Sequence, residues 1–270
     1  MPKDIRYETE TFWQVFGTGE RPALAIHCML GSSEMWGGVL APMADTLTTT
    51  AFDLPGHGQS APWDAAGAAP GAYQTLATRI AASFIERPVD LIGHSFGASV
   101  ALRIAVGAPQ AIRSLTLIEP VLFAAAKGSP EWEELRPHQD HLDALLAAGE
   151  QEEAARRFMR DWGAGAPWET LPEKLRTRFI AQMPIIENVT PANFEDPGGI
   201  CRAGGMEGIE APVMLIRGDQ SPKIVAATCD AIAARLADVG TAVVPGAGHM
   251  LPLTHMPQVS ELIAMNIERS

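Results

Sequence analysis

One serine is set apart by its neighbours. Gly93-His94-Ser95-Phe96-Gly97 fits the pattern G-x-S-x-G, with an apolar run, 89–92, before it and an apolar stretch, 98–106, behind it. A strand that turns sharply into a helix lifts such a serine hydroxyl into the open. The flanking glycines suit a crowded turn with no room for side chains. The new helix aims its unpaired N–H groups and positive dipole end at the reacting centre. A chance glycine turn would not need this strand-to-helix setting.

A serine hydroxyl is a weak nucleophile near neutral pH, so it needs a base, and the base needs an orienting carboxylate. Two downstream segments can supply them in the chain order serine, acid, histidine. Val213–Gly218 is a strand candidate running into Asp219, and Gly246-Ala247-Gly248-His249-Met250 is a glycine loop after the last strand candidate. Both side chains then fall at carboxyl ends of strands, where open α/β sheets place their sites. Asp219 could instead cap a helix, but Ser221 before Pro222 can serve as that cap. Glu119, after the run 114–118, is the rival acid; Asp219 is the preferred assignment. His138 and His141 stand three apart without a matching third ligand, and His255 is expected to start the last helix.

The segments that must position these groups alternate. Strand-length apolar runs occur at 23–27, 49–53, 89–93, 114–118, 213–217 and 241–244. Helix candidates lie between and after them at 35–47, 73–85, 96–106, 223–236 and 258–267. This predicts a doubly wound, mostly parallel α/β sheet. Residues 7–16 read as one or two antiparallel edge strands, and Ala65–Gly71 as a surface loop. The alternation lapses over about 85 residues, far more than one crossover needs. Residues 123–209 therefore read as a helical insertion after the sixth strand, with 1–122 and 210–270 forming the core. Helices are expected at 131–135, 141–160 and 172–183, with Pro184, Pro191 and Pro197 marking a looser exit.

Composition narrows the partners. The 270 residues carry 20 Lys+Arg against 32 Asp+Glu, a net charge of −12, which disfavours nucleic acid and anionic membranes. Hydrophobic residues at 47% and charged residues at 19% are globular values that rule out a disordered or fibrous chain. Cys28, Cys201 and Cys229 are widely spaced and suggest neither a disulfide framework nor a zinc site. There is no signal-like or membrane-spanning run, so the expectation is a cytoplasmic protein acting on a small molecule.

At this point the chain resembles the α/β-hydrolase fold family, over nearly its whole length apart from the insertion, which would be the family's cap. His27-Cys28-Met29-Leu30-Gly31-Ser32-Ser33 followed by Trp36 is similar to the H-G-x-x-G-S segment of the esterase, thioesterase and C–C-bond hydrolase branch. By that resemblance the oxyanion donors are the backbone N–H groups of Met29 and Phe96. Asp53-Leu54-Pro55-Gly56-His57-Gly58-Gln59-Ser60 resembles the family's D-x-P-G-x-G-x-S turn, which is structural there. Members usually have glycine where Cys28 stands. A positive φ would strain cysteine, whereas a position needing only close packing would accept it.

The resemblance implies hydrolysis of a small or medium ester or thioester through an acyl-enzyme, without metal or organic cofactor. A serine nucleophile, rather than the aspartate of dehalogenase and epoxide hydrolase relatives, indicates acyl-type chemistry. C–C bond hydrolysis or lysis, acyl transfer and non-catalytic ligand binding remain the alternatives. Cys28, Leu122, Phe123, Trp162, Met183 and Met250 are the expected substrate pocket.

Overall fold

The structure is a computed structural model that describes residues 2–64 and 67–270; Ala65 and Ala66 of the expected loop lie outside the described residues. The chain opens with a hairpin, β1 (Lys3–Arg6) and β2 (Thr9–Phe16), the two antiparallel edge strands. Its two-residue turn places Tyr7 and Glu8 at positive φ, the geometry whose twist matches paired strands. The apolar runs become β3 (Arg21–Ile26), β4 (Leu47–Phe52), β5 (Val89–His94), β6 (Ile112–Ile118), β7 (Val213–Gly218) and β8 (Val239–Val244). The eight strands run in the order β1-β2-β4-β3-β5-β6-β7-β8, and all neighbours from β4 to β8 are parallel.

Residues alternate between the two faces with period two. On β3, Leu24 and Ile26 join one buried cluster, while Ala23 and Ala25 join the other. Helices α2 (Ala72–Ala82), α3 (Phe96–Gly107) and α7 (Lys223–Ala233) cover the first face. The second is covered by α1 (Gly37–Leu40), α8 (Leu251–Thr254) and α9 (Met256–Glu268). The long helix expected at 35–47 is instead α1 flanked by two 3-10 turns, Ser33–Trp36 and Ala41–Met43, and Leu47 already belongs to β4. Gly37, Gly38 and Pro42 interrupt regular helix there.

Three helices lie between β6 and β7: α4 (Pro130–Ala147), α5 (Gln151–Trp162) and α6 (Glu173–Phe194). The expected 141–160 helix is divided by a turn at Gly149, whose φ is +76°. The expected loose exit is also corrected, because α6 continues through Pro184 and Pro191. Those prolines each cost a backbone hydrogen bond. Burial of Ile185, Ile186, Val189, Ala192 and Phe194 outweighs that cost, a tertiary override of local propensity.

The strand order reverses direction between β3 and β5, which makes their carboxyl ends the crevice of the sheet. Register fixes what meets there. Ile26 pairs with Gly93, and His94 pairs with Ile118, so the loop after β3, the turn after β5 and the residue after β6 are neighbours. The turn needs its glycines. A Cβ on Gly97 would lie 2.2 Å from the Ile26 carbonyl oxygen, and one on Gly93 would lie 2.4 Å from that of Gly97. Gly107, at the far end of α3, has open space around it. In urea unfolding, Gly97→Ala is expected to destabilise the chain by about 3 kcal/mol or more. Gly107→Ala is expected to stabilise it by about 0.5 kcal/mol.

Candidate active site

Ser95 is the hinge between β5 and α3, at φ 57° and ψ −119°. This is a sparsely populated conformation for a residue with a Cβ. Its N–H donates to the Ile118 carbonyl at 2.8 Å, which ties the turn to the end of β6. The hydroxyl stands 3.0 Å from His249 Nε2. On the other side of the ring, His249 Nδ1 stands 2.9 Å from Glu119 Oε2. A carboxylate accepts, so Nδ1 carries the hydrogen and Nε2 is left free to accept the serine proton.

The carboxylate that meets the imidazole is therefore Glu119, and the expectation that Asp219 stands there is corrected. Glu119 follows β6, takes φ 52° and is fully buried. Its Oε1 accepts from the Gly218 N–H at 2.7 Å and from Ser221 Oγ at 2.8 Å. Those bonds aim Oε2 at the imidazole. Ser221, expected as a helix cap, serves the carboxylate instead, and α7 has no side-chain cap. Asp219 is exposed, and its Oδ1 accepts from the Gly246 N–H at 2.8 Å and from Gln220 at 3.2 Å. It shapes the turn before the histidine loop rather than touching the histidine.

Three further histidines hold the surroundings. His94 Nε2 donates to the His249 carbonyl at 2.8 Å, pinning the histidine loop to the end of β5. His27 Nδ1 donates to the Cys28 carbonyl at 2.6 Å, and its Nε2 accepts from the Leu54 N–H at 2.9 Å. His57 Nε2 accepts from the Leu30 N–H at 3.0 Å, and its Nδ1 donates to the Pro55 carbonyl at 3.0 Å. His27 and His57 thus clamp the loop after β3 against the turn 53–60. Asp53 adds to the clamp by accepting from the Ser33 N–H at 2.7 Å.

Burial keeps all three neutral. It lowers His27 to about 4. It lowers His57 to about 3, with the charge of His27 adding to the effect. It also drives His94 well below its usual range.

Cys28 is buried and is not among the described non-glycine residues at positive φ. The position demands close packing and not a glycine conformation, and burial pushes the thiol up to about 12. Leu30 carries the positive φ of this loop, at 62°. Among the described residues Met29 N–H has no hydrogen-bond partner. Phe96 is the first residue of α3, so its N–H has no intrahelical acceptor.

Ser95 and His249 open onto a cavity of about 440 Å³. Cys28, Trp162 and Met250 line it as expected. Leu122, Phe123 and Met183 do not; they are buried packing residues of the larger core cluster. Phe123 acts indirectly, stacking on Trp162 at 5.7 Å, and Trp162 in turn meets the His249 ring edge-on at 4.9 Å. The sequence reading missed Phe158 and Met159 on α5 and Leu175, Arg178 and Phe179 on α6. Their helical spacing, i, i+3, i+4 from Leu175, was the available signal. Among the described residues no cluster could hold a metal ion, and no helix is long and apolar enough to cross a membrane.

The profile of the alpha/beta hydrolase family matches residues 23–262, and the chain belongs to that family. The chain is 28% identical to a pimeloyl-[acyl-carrier protein] methyl ester esterase of Methylococcus capsulatus, over 93% of this chain and 96% of that protein. It is 40% identical to the dihydrolipoyllysine-residue acetyltransferase component of the acetoin cleaving system of Cupriavidus necator, over only 42% of this chain and 30% of that one. Solved structures share the fold. A hydrolase from Pseudomonas aeruginosa superposes with a TM-score of 0.74 at 20% identity, covering 98% of this chain and 97% of that one. A thermophilic esterase from Thermogutta terrifontis does so with a TM-score of 0.68 at 19% identity, covering 99% and 98%.

Two outcomes follow for this site. If Glu119 orients the base, Glu119→Gln lowers kcat by about 10⁴-fold, the size seen when a triad acid loses its charge. Asp219→Asn, at an exposed site, stays within about threefold of wild type. The second concerns pH. Between about 6.5 and 4 the unfolded chain binds protons that the neutral His27, His57 and His94 refuse, so stability falls as pH falls. Urea titrations between pH 6.5 and 5.5 should show a slope of up to about three protons. His57→Gln, which keeps a donor and an acceptor, should reduce that slope by about one proton.

Proposed function

We propose that this protein is a serine hydrolase that cleaves a small or medium carboxylic ester through an acyl-enzyme. The observation that carries the proposal is the continuous line Ser95–His249–Glu119 at the floor of a largely apolar cavity. The full-length relative named as a methyl ester esterase supports the same chemistry.

In this reading Ser95 Oγ attacks the ester carbonyl while His249 Nε2 takes its proton. Glu119 holds the ring in the tautomer that makes this transfer possible and stabilises the imidazolium that results. The free N–H groups of Met29 and Phe96 receive the developing oxyanion. Each such donor is worth about 2.7–4 kcal/mol of transition-state stabilisation. The alcohol leaves with the proton held by His249. Water then attacks the acyl-enzyme, with His249 acting as base once more.

The helices α4–α6 act in this scheme as a cap. Phe158, Met159 and Trp162 of α5, with Leu175 and Phe179 of α6, line the space above Ser95. They give the acyl chain an apolar seat and limit the water around the imidazole.

A p-nitrophenyl ester series from acetate to decanoate tests the proposal. Wild type should turn over the esters with an optimum at butyrate to octanoate. Ser95→Ala should lose about 10⁶-fold in kcat, as when the nucleophile of a triad is removed. Wild-type rates no faster than Ser95→Ala on every ester would overturn it.

A further inference from the structure

The inward stripe of α6 contains a residue that packing does not explain. Leu175, Arg178 and Phe179 are spaced to share one helical face, and all three line the cavity over Ser95. Arg178 lies exposed within that stripe. It is the one arginine or lysine among the described lining residues.

Its guanidinium lies over the Phe179 ring, 5.5 Å from the centroid, which leaves the edge of the fork without a carboxylate among the described residues. Three arginines of α4 and α5 engage carboxylates, Arg156 with Glu152, Glu153 and Glu169, Arg160 with Asp161, and Arg136 with Asp140, whereas Arg157 meets His138 instead. Among the described residues no carboxylate lies within ion-pair distance of Arg178, although acids outnumber bases 32 to 20 in the chain. Glu34 is the one carboxylate in the described lining, and it does not pair with Arg178. The charge of Arg178 also reaches inward. After burial and the neighbouring His27, it is the last of the influences that lower the buried His57.

A guanidinium offers a planar fork of donors that matches a carboxylate or a phosphate. That fork lines the same cavity as Ser95, and the two come from different elements, α6 and the turn after β5. We infer that the preferred substrate is an ester whose acyl chain carries an anionic group remote from the scissile carbonyl, with Arg178 as the residue that binds it. This rests on the ester-cleaving function proposed above and names its substrate class. A chain-end carboxylate and a phosphate monoester share the required chemistry.

The test compares p-nitrophenyl esters of equal chain length ending in carboxylate, in phosphate monoester or in methyl. Wild type should favour at least one anionic ester over the methyl-ended one by about 10-fold or more in kcat/KM, chiefly through KM. The terminus with the larger ratio identifies the source. Arg178→Gln should bring that ratio to about one or below, since the net charge of −12 disfavours anions. Arg178→Lys should restore part of it. A wild type without preference, or a preference that survives Arg178→Gln, overturns the assignment.

Calorimetric binding to Ser95→Ala separates this from failure of the esterase function. The ligands are the monomethyl half-ester and the dimethyl diester of one dicarboxylic acid, and the monomethyl ester of the matching ω-phosphate acid. Tighter binding of either anionic ligand than of the diester, abolished by adding Arg178→Gln, upholds the anion site even if no ester is cleaved. Equal binding of all three, or tighter anion binding that persists in the double variant, refutes it.

Discussion

An imidazole can relay a proton only when one nitrogen is committed to an acceptor and the other left bare. Much of this fold serves that single demand. The ring of His249 comes from the loop after β8, three strands away from Ser95 in the sheet. It bridges that distance because both ends of its reach are fixed. Glu119 holds Nδ1, and His94, one residue before Ser95, holds the backbone carbonyl. Glu119 is itself held by the end of β7 through Gly218 and by Ser221. Four consecutive strand ends of the sheet thus converge on one side chain.

The same economy governs the loop after β3. Two buried histidines, kept neutral by desolvation, use both ring nitrogens to join that loop to the turn after β4. Neutral imidazoles suit this task, since each offers one donor and one acceptor in a rigid plane. They leave the Met29 N–H unclaimed beside the N-terminus of α3. An oxyanion site needs that condition: donors fixed in position in advance. The clamp also ties stability to pH, because unfolding in acid lets these rings take up the protons that burial denies them.

The elbow and the histidine were legible in the sequence because their signals are local. Gly93 to Gly97 specifies strand, turn and helix within five residues, and a glycine loop after the last strand has few other places to go. The acid was not legible for a physical reason. Glu119 and Asp219 each follow a parallel strand, and β6 and β7 are neighbours in the sheet, so both carboxylates reach the same edge. What separates them is a side-chain direction, set by the positive φ of Glu119 and by the donors at Gly218 and Ser221. No spacing rule encodes that. The core strands were readable to within a few residues, since burial on both faces makes them apolar throughout. The segment between β6 and β7 was readable as helical but not in outline. Its prolines stop a helix by local rules, and only packing of Ile185, Ile186 and Val189 shows why α6 continues. Phe123, Leu122 and Met183 were apolar for the core's sake, and composition could not tell that from a pocket.

The central claim is that Ser95 is made nucleophilic by the His249–Glu119 pair. Fluorophosphonate labelling, followed by intact mass and peptide mapping, tests it without assuming a substrate. Wild type should take up one phosphonyl group, located on Ser95, and Glu119→Gln should react far more slowly while remaining folded. Labelling elsewhere, no labelling, or equal rates in the two proteins would contradict it.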